Sequence, residues 1–276
     1  MDFINRKRMP SQLKTHRVEE LTYAVEGLHV KGLSLTPFQP VQRIIVYLRG
    51  GKGQVGRVRL ARLLQFIDNK TLIFAPYYRG NNGSEGQDDF AGEDLKDVTI
   101  AIQILKAQFP EAHLHLIGFS RGGIQGLLTF QDAQVDSYII WGGVSDLYLM
   151  YEERVDLRGM LRRMVGHPKK ALQAYEKRDA MKLIGNSTPP ILIIHGGRDV
   201  QVGIHQAYTL EAHLKKVGAT FETFYQLDEG HVPRPNAMRQ VLKVIQQWMK
   251  NIEFQKTKKS REVSVIDAFT ALIITL

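Results

Sequence analysis

Short apolar runs, RIIVYL, LIFA, HLHLIG, YIIW and ILIIH, alternate along this chain with longer segments of helical periodicity. Runs with so little polar interruption belong to strands covered on both faces, as in a parallel sheet packed between helices. They place strands at residues 44–48, 72–75, 113–118, 138–141 and 191–195, with an alternating strand at 221–226. Helical patterns fall between them at about 57–67, 93–108, 121–130, 205–217 and 236–248. In the second of these, Leu95, Val98, Ile102 and Leu105 share one face, and Pro110 closes it. Residues 20–35 alternate by two around glycines and read as an antiparallel pair. Polar helices at about 145–188 interrupt the alternation and read as an inserted cap. The expected fold class is α/β, doubly wound, with a mostly parallel sheet of about eight strands and helices on both faces. The domain spans residues 20–252, after an N-terminal extension (1–19) and before a tail (253–276) of open role.

At 276 residues and 43% hydrophobic content the chain buries a sizeable core without staples. It has no cysteine, which excludes disulfides, a cysteine nucleophile and thiolate metal sites. No metal or cofactor is expected. The net charge of +9 is divided between both ends and scattered helical positions, with no basic stripe interleaved with aromatics. It reads as a solvated basic surface with no nucleic-acid role. The opening MDFINRKRMP has no apolar run behind its basic cluster, so no secretory signal is expected and the protein is placed in the cytoplasm. The apolar VSVIDAFTALIITL near the end is too short to span a bilayer, so no stable membrane insertion is expected. A strand, a docking segment, an interfacial anchor and a degenerate terminus all stay open for it.

The segment HLHLIGFSRGG carries the chemistry. A buried strand ends in G-x-S-x-G, and a helix follows at once. In this context Ser120 sits at a sharp strained turn, and Gly118 and Gly122 leave room for the neighbouring chain. A serine needs a base and an acid to orient that base. In this fold class they follow in the order Ser, Asp or Glu, His. Asp199 lies just past the strand ILIIH, and His231 lies in DEGHVP after the last strand. Both stand at carboxyl ends of parallel strands, where open α/β sheets bind ligands. Asp146 competes with Asp199 for the acid role, and His195 reads as a packed structural histidine. Two backbone N–H groups are needed for an oxyanion. They are assigned to Arg121, after the nucleophile, and to Gly51 in the loop after RIIVYL.

These motifs resemble the prolyl oligopeptidase-like group of α/β-hydrolases, the catalytic domain of the S9 serine peptidases and their esterase relatives. GFSRGG is similar to the group's elbow, HGGRDVQV to its acid motif and YQLDEGHVP to its histidine motif. YYRGNNGSEGQDDFAGEDLKDV resembles its Tyr-Arg-Gly loop before an acidic helix start, where Arg79 is expected to pair with an acid. Tyr175-Glu176-Lys177-Arg178 resembles the Y-x-x-R segment before the acid strand. The resemblance covers about residues 20–250. The oligopeptidases also carry a β-propeller, for which this chain has no room. Arg49 stands where many members have Tyr or His before the glycine pair.

The resemblance implies a serine hydrolase with an acyl-enzyme intermediate, cleaving an ester or amide of a small substrate. A carboxylesterase is expected first, a serine-type peptidase of small peptides second, and a non-catalytic binding protein on the same fold is the rival of another class. Arg49 is expected to contact the oxyanion or a substrate carboxylate. Trp141, with Tyr148, Met150, Tyr151 and Met164, is expected to shape the substrate pocket or pack the cap.

Overall fold

The computed structural model describes residues 2–53 and 55–274, as backbone alone beyond residue 258. The strands are β1 (Asn5–Arg8), β2 (His16–Val25), β3 (Leu28–Pro37), β4 (Arg43–Leu48), β5 (Thr71–Pro76), β6 (His113–Phe119), β7 (Ser137–Trp141), β8 (Ile191–Gly196) and β9 (Phe221–Gln226). They form one sheet in the order β1-β2-β3-β5-β4-β6-β7-β8-β9. From β4 to β9 neighbouring strands run parallel, and β1, β2 and β3 add antiparallel pairs at one edge.

Successive residues of a strand point to opposite faces, so the buried strands feed two cores. Ile44, Val46 and Leu48 of β4 join Phe74, Leu116 and Ile193 on one face. Helices α2 (Leu95–Gln108), α3 (Gly122–Leu127) and α7 (His205–Val217) cover them with Val98, Ile102, Ile124, Leu127, Leu210 and Leu214. Ile45 and Tyr47 join Ile73, Ile117 and Ile194 on the other face. Leu63 of α1 (Leu60–Leu63) covers that face with Val241, Ile245 and Trp248 of α8 (Pro235–Ile274). This is the α/β-hydrolase arrangement, with helices on both sides of a mostly parallel sheet. Between β7 and β8 the chain forms α4 (Leu147–Glu153), α5 (Arg158–Met164) and α6 (Leu172–Glu176).

The structure adds to the sequence reading at both ends. The extension is not separate from the sheet. Arg6, Lys7 and Arg8 lie in β1, paired with Leu21, Glu20 and Glu19 of β2, which makes the strands nine instead of about eight. Every side chain of β1 is exposed, so no apolar alternation marks it. A short charged edge strand of this kind blocks pairing with other chains. At the other end, α8 runs through the basic stretch and on to Ile274 where the sequence left a tail of undecided structure. Among the described residues no helix is long and apolar enough to cross a membrane. Residues 275 and 276 lie outside the described part.

A polar cluster fastens α8 to the sheet. His115 of β6 is fully buried and bonds Ser137 Oγ at 2.8 Å and Glu253 Oε1 at 3.0 Å, while Arg43 Nη2 donates to Glu253 Oε2 at 2.8 Å. Burial alone would raise the pKa of Glu253, but the hydrogen bonds from His115 and Arg43 hold it at about 2, below the ordinary 4.5. A depressed carboxylate stabilises the fold fully above its unfolded pKa and loses that contribution as pH falls through the folded value. Glu253→Gln is therefore expected to lower the melting temperature at pH 7, and the gap to wild type is expected to close between about pH 4 and pH 2. Paired melting curves across that range check it. A gap independent of pH would show that packing, not charge, fastens the helix.

Candidate active site

β4 and β6 are neighbours, but the chain leaving β4 goes to β5 on one side and the chain leaving β6 goes to β7 on the other. A crevice opens outside the carboxyl ends of such a pair. Residues 49–51 leave β4 there, and Ser120 leaves β6. Ser120 has φ +56°, a conformation that costs a non-glycine residue about 1–3 kcal/mol and persists only when its surroundings hold it. Its N–H donates to Trp141 O at 3.1 Å, and its carbonyl accepts from Gly123 N at 2.9 Å and Val144 N at 3.0 Å. The chain passes too close for side chains on either side. A Cβ on Gly122 would lie 2.2 Å from Leu48 O, and one on Gly50 would lie 2.6 Å from Ser120 Cβ.

His231 and Asp199 meet across 32 residues of chain. His231 Nδ1 and Asp199 Oδ2 are 2.7 Å apart, and Asp199 is 7% exposed. Asp199 Oδ1 accepts from the backbone N–H groups of Gln201 at 2.8 Å and Val202 at 2.9 Å. Burial would raise the Asp199 pKa, but the hydrogen bond and charge of His231 and these two N–H groups bring it below the usual carboxylate value. The acceptor Oδ2 fixes the proton of the neutral imidazole on Nδ1 and turns Nε2 into an acceptor. Glu229 holds the histidine loop, accepting from Arg234 N and Arg234 Nε at 2.8 Å each.

Two short links tie this pair to Ser120. The ring of Phe119, the preceding residue, lies 4.7 Å from the His231 ring. Trp141, whose carbonyl holds Ser120 N, is followed by Gly142, and a methyl placed there would sit 3.4 Å from both Asp199 Oδ2 and His231 Nδ1. The Ser120 hydroxyl and His231 Nε2 form no hydrogen bond with each other in this structure.

The competing residues have other hydrogen-bond partners. Asp146 caps α4 by accepting from Leu149 N at 3.1 Å. His195 is buried, donates from Nε2 to Val202 O at 2.8 Å, and lies 3.5 Å from Asp199 Oδ2. Burial pushes its pKa down. Among the described residues, the backbone N–H groups of Gly51 and Arg121 donate to no protein acceptor; Arg121 follows Ser120 directly, and Gly51 follows Gly50, whose backbone lies against Ser120. Arg49 does not face the crevice. It is 1% exposed, and its guanidinium donates to Gly50 O at 3.1 Å and Val55 O at 3.2 Å, which braces the glycine loop from within. Trp141 is 2% exposed and packs edge-on against Phe119 at 5.5 Å, so its indole supports the floor beneath the crevice. Among the described residues no three His, Asp or Glu side chains gather as a metal site.

A buried network behind the elbow escaped the sequence reading. Arg121 is 2% exposed and donates to Asp88 Oδ2 at 2.7 Å, Asp88 Oδ1 at 2.6 Å, Asp94 Oδ2 at 2.6 Å and Gly51 O at 3.2 Å. Its side chain thus links the two segments that carry the open N–H groups. The ring of Tyr78, itself at φ +63°, packs against the guanidinium groups of both Arg49 and Arg121, at 5.3 and 5.5 Å. Beside this network lies the pair expected from the sequence, Arg79 with Asp97 at 2.9 Å, and Arg178 of the Y-x-x-R segment donates to Asp89 O at 2.8 Å and Phe90 O at 3.0 Å.

Comparison with known proteins agrees with this architecture. Residues 57–254 match the profile described as "Prolyl oligopeptidase family". The chain is 42% identical over 255 residues to "Uncharacterized peptidase YtmA" of Bacillus subtilis (strain 168), covering 90% of this chain and 99% of that one. An acylaminoacyl peptidase of Pyrococcus horikoshii superposes with a TM-score of 0.72 at 20% identity, over 88% of this chain and 42% of the other. Acetyl xylan esterase 1 from Thermoanaerobacterium sp. JW/SL YS485 superposes with a TM-score of 0.67 at 13% identity, over 91% of this chain and 89% of the other.

Proposed function

Since the chain belongs to the prolyl oligopeptidase family and is a serine hydrolase, we propose that Ser120, His231 and Asp199 are its catalytic triad and that it cleaves an ester bond in a small substrate. The observation that carries this reading is the buried His231–Asp199 pair beside a serine held at positive φ. His231 Nε2 takes the proton of the Ser120 hydroxyl as the oxygen attacks the substrate carbonyl. The proton then passes from Nε2 to the leaving oxygen, the C–O bond breaks, and the acyl group stays on Ser120. Water, deprotonated by the same nitrogen, releases the acid and restores the serine. Asp199 keeps the imidazole in the required tautomer and stabilises its cation. The N–H groups of Gly51 and Arg121 receive the negative oxygen of the tetrahedral intermediates.

An ester is preferred to a peptide with a free amino terminus because five acids near the site and its supporting loops are already paired with arginines. Asp88 and Asp94 hold Arg121, Asp97 holds Arg79, Glu229 holds Arg234 and Asp228 holds Arg198. The second reading, a peptidase acting on small peptides, is favoured by the peptidase name of the 42% identical relative. A fluorophosphonate probe is expected to label wild type and not Ser120→Ala. Turnover of chromogenic acyl esters is expected to exceed that of aminoacyl amides. Faster amide turnover would reverse the order, and an unlabelled wild type would end the hydrolase mechanism and favour a binding role.

A further inference from the structure

The guanidinium expected to meet a substrate carboxylate, that of Arg49, is spent on loop carbonyls. The segment just beyond it supplies other cations. Lys52, Arg57, Arg59 and Arg62 follow the glycine loop, and no Asp or Glu occurs in the sequence until Asp68. Among the described residues none of these four forms an ion pair with a carboxylate. By contrast Arg43, Arg79, Arg121, Arg178 and Arg234 all do.

Arg62 is the best placed. It is half-buried, and its guanidinium lies 5.0 Å from the centre of the Phe119 ring and 5.5 Å from that of Trp141. The His231 ring lies 4.7 Å from the same Phe119 ring, so the cation stands within about 10 Å of the imidazole. The only hydrogen bond of its side chain among the described residues is a long one, from Nη1 to Gln65 Oε1 at 3.4 Å. Stacking on two aromatic rings holds a guanidinium in place while leaving its N–H fork free for an anion. The oxyanion donors stand at Gly51 and Arg121, and the imidazole faces the leaving atom that it must protonate. The guanidinium and the imidazole both pack against the Phe119 ring, so an anion on the leaving group, which the imidazole must reach, is the substrate charge closest to this cation.

Resting on the triad reading above, we infer that Arg62 is a specificity residue that binds a carboxylate on the substrate's leaving group, with Arg57 and Arg59 strengthening the local positive field. Two sources share that chemistry, an ester of a hydroxy acid and a short peptide cleaved next to its free carboxyl terminus.

The test compares acetylated 4-hydroxybenzoate with its neutral methyl ester, and an N-acyl dipeptide acid with the corresponding amide. In wild type, kcat/KM for the anionic ester is expected to exceed that for the neutral one by about tenfold, the scale of one charge-assisted contact. Arg62→Gln is expected to bring the ratio close to one, mainly through KM, whereas Arg62→Lys retains most of it. Raising the salt to 0.5 M is expected to compress the wild-type ratio, a reading that needs no variant. A preference seen with the dipeptide and absent from the ester pair would assign the peptide source. A wild-type ratio of one in both pairs, or a preference that survives Arg62→Gln, would overturn the inference. So would a preference for charge on the acyl side, read with a 4-nitrophenyl hemisuccinate. If none of the substrates turns over and Ser120 resists the fluorophosphonate, it is the triad reading that fails.

Discussion

Asp199→Asn is expected to lower kcat by about 10⁴-fold on a chromogenic ester while KM changes little, the scale for losing the correct histidine tautomer in a serine triad. The geometry gives the reason. Asp199 Oδ1 accepts from Gln201 N and Val202 N, so an asparagine in its place keeps its carbonyl oxygen on those two donors. Its amide NH₂ then replaces Oδ2 as the group facing His231 Nδ1. The imidazole must accept there, its proton moves to Nε2, and Nε2 no longer takes a proton from Ser120. Binding is nearly unaffected because neither residue needs to move. Asp146→Ala is the control. It removes the cap of α4, which costs about 1 kcal/mol of stability, and leaves the rate within a few-fold. Steady-state kinetics on purified, folded variants decide. A loss under tenfold in Asp199→Asn, or an equal loss in Asp146→Ala, would remove Asp199 from the mechanism.

The sequence showed the parts of this molecule that follow from periodicity and from position along the chain. β4, β6, β7 and β8 are legible because both faces of each strand are buried, leaving apolar runs with little polar interruption. Asp199 and His231 are legible because they follow strand ends, and the topology brings those ends together. β1 is not, since an edge strand with four exposed polar residues has no apolar signal. Arg49 was misplaced for a different reason. A cation beside a glycine loop reads the same whether it points outward or turns back onto carbonyls, and only the fold around Tyr78 sets the direction. The network of Arg121 with Asp88 and Asp94 spans about thirty residues, and each partner has a local explanation as an elbow residue, a loop acid or a helix-start acid. The clue available in advance was the excess of acids in GQDDFAGED over what a single helix start requires.

Truncating Arg121 to alanine is expected to destabilise the protein by about 3–5 kcal/mol, the cost of stripping the partner from a buried ion pair. For a chain of this size that lowers the melting temperature by roughly 6–20 °C. Both carboxylates it leaves behind are buried, Asp94 completely and Asp88 nearly so. Asp94 keeps only the donors Gly92 N and Gln125 Nε2. Burial already pushes the Asp94 pKa up against the opposing charge of Arg121, and removing that charge drives it higher. An acid whose folded pKa lies above its unfolded value destabilises the fold when ionisation is forced at higher pH. The penalty fades as pH falls toward the unfolded carboxylate value near 4. The deficit of Arg121→Ala relative to wild type is therefore expected to be largest at pH 7 to 8 and to shrink toward pH 5. Adding Asp94→Asn is expected to recover part of it at neutral pH. The rate should fall as well if the proposed oxyanion site is right, because the bond from Arg121 to Gly51 O that fixes the glycine loop is lost while the backbone N–H of residue 121 remains. Binding of a boronic acid, which mimics the tetrahedral intermediate, should weaken more than binding of a neutral product. A melting temperature unchanged at pH 8, or a deficit constant from pH 8 to pH 5, would show that the cluster is not held by the charge of Arg121.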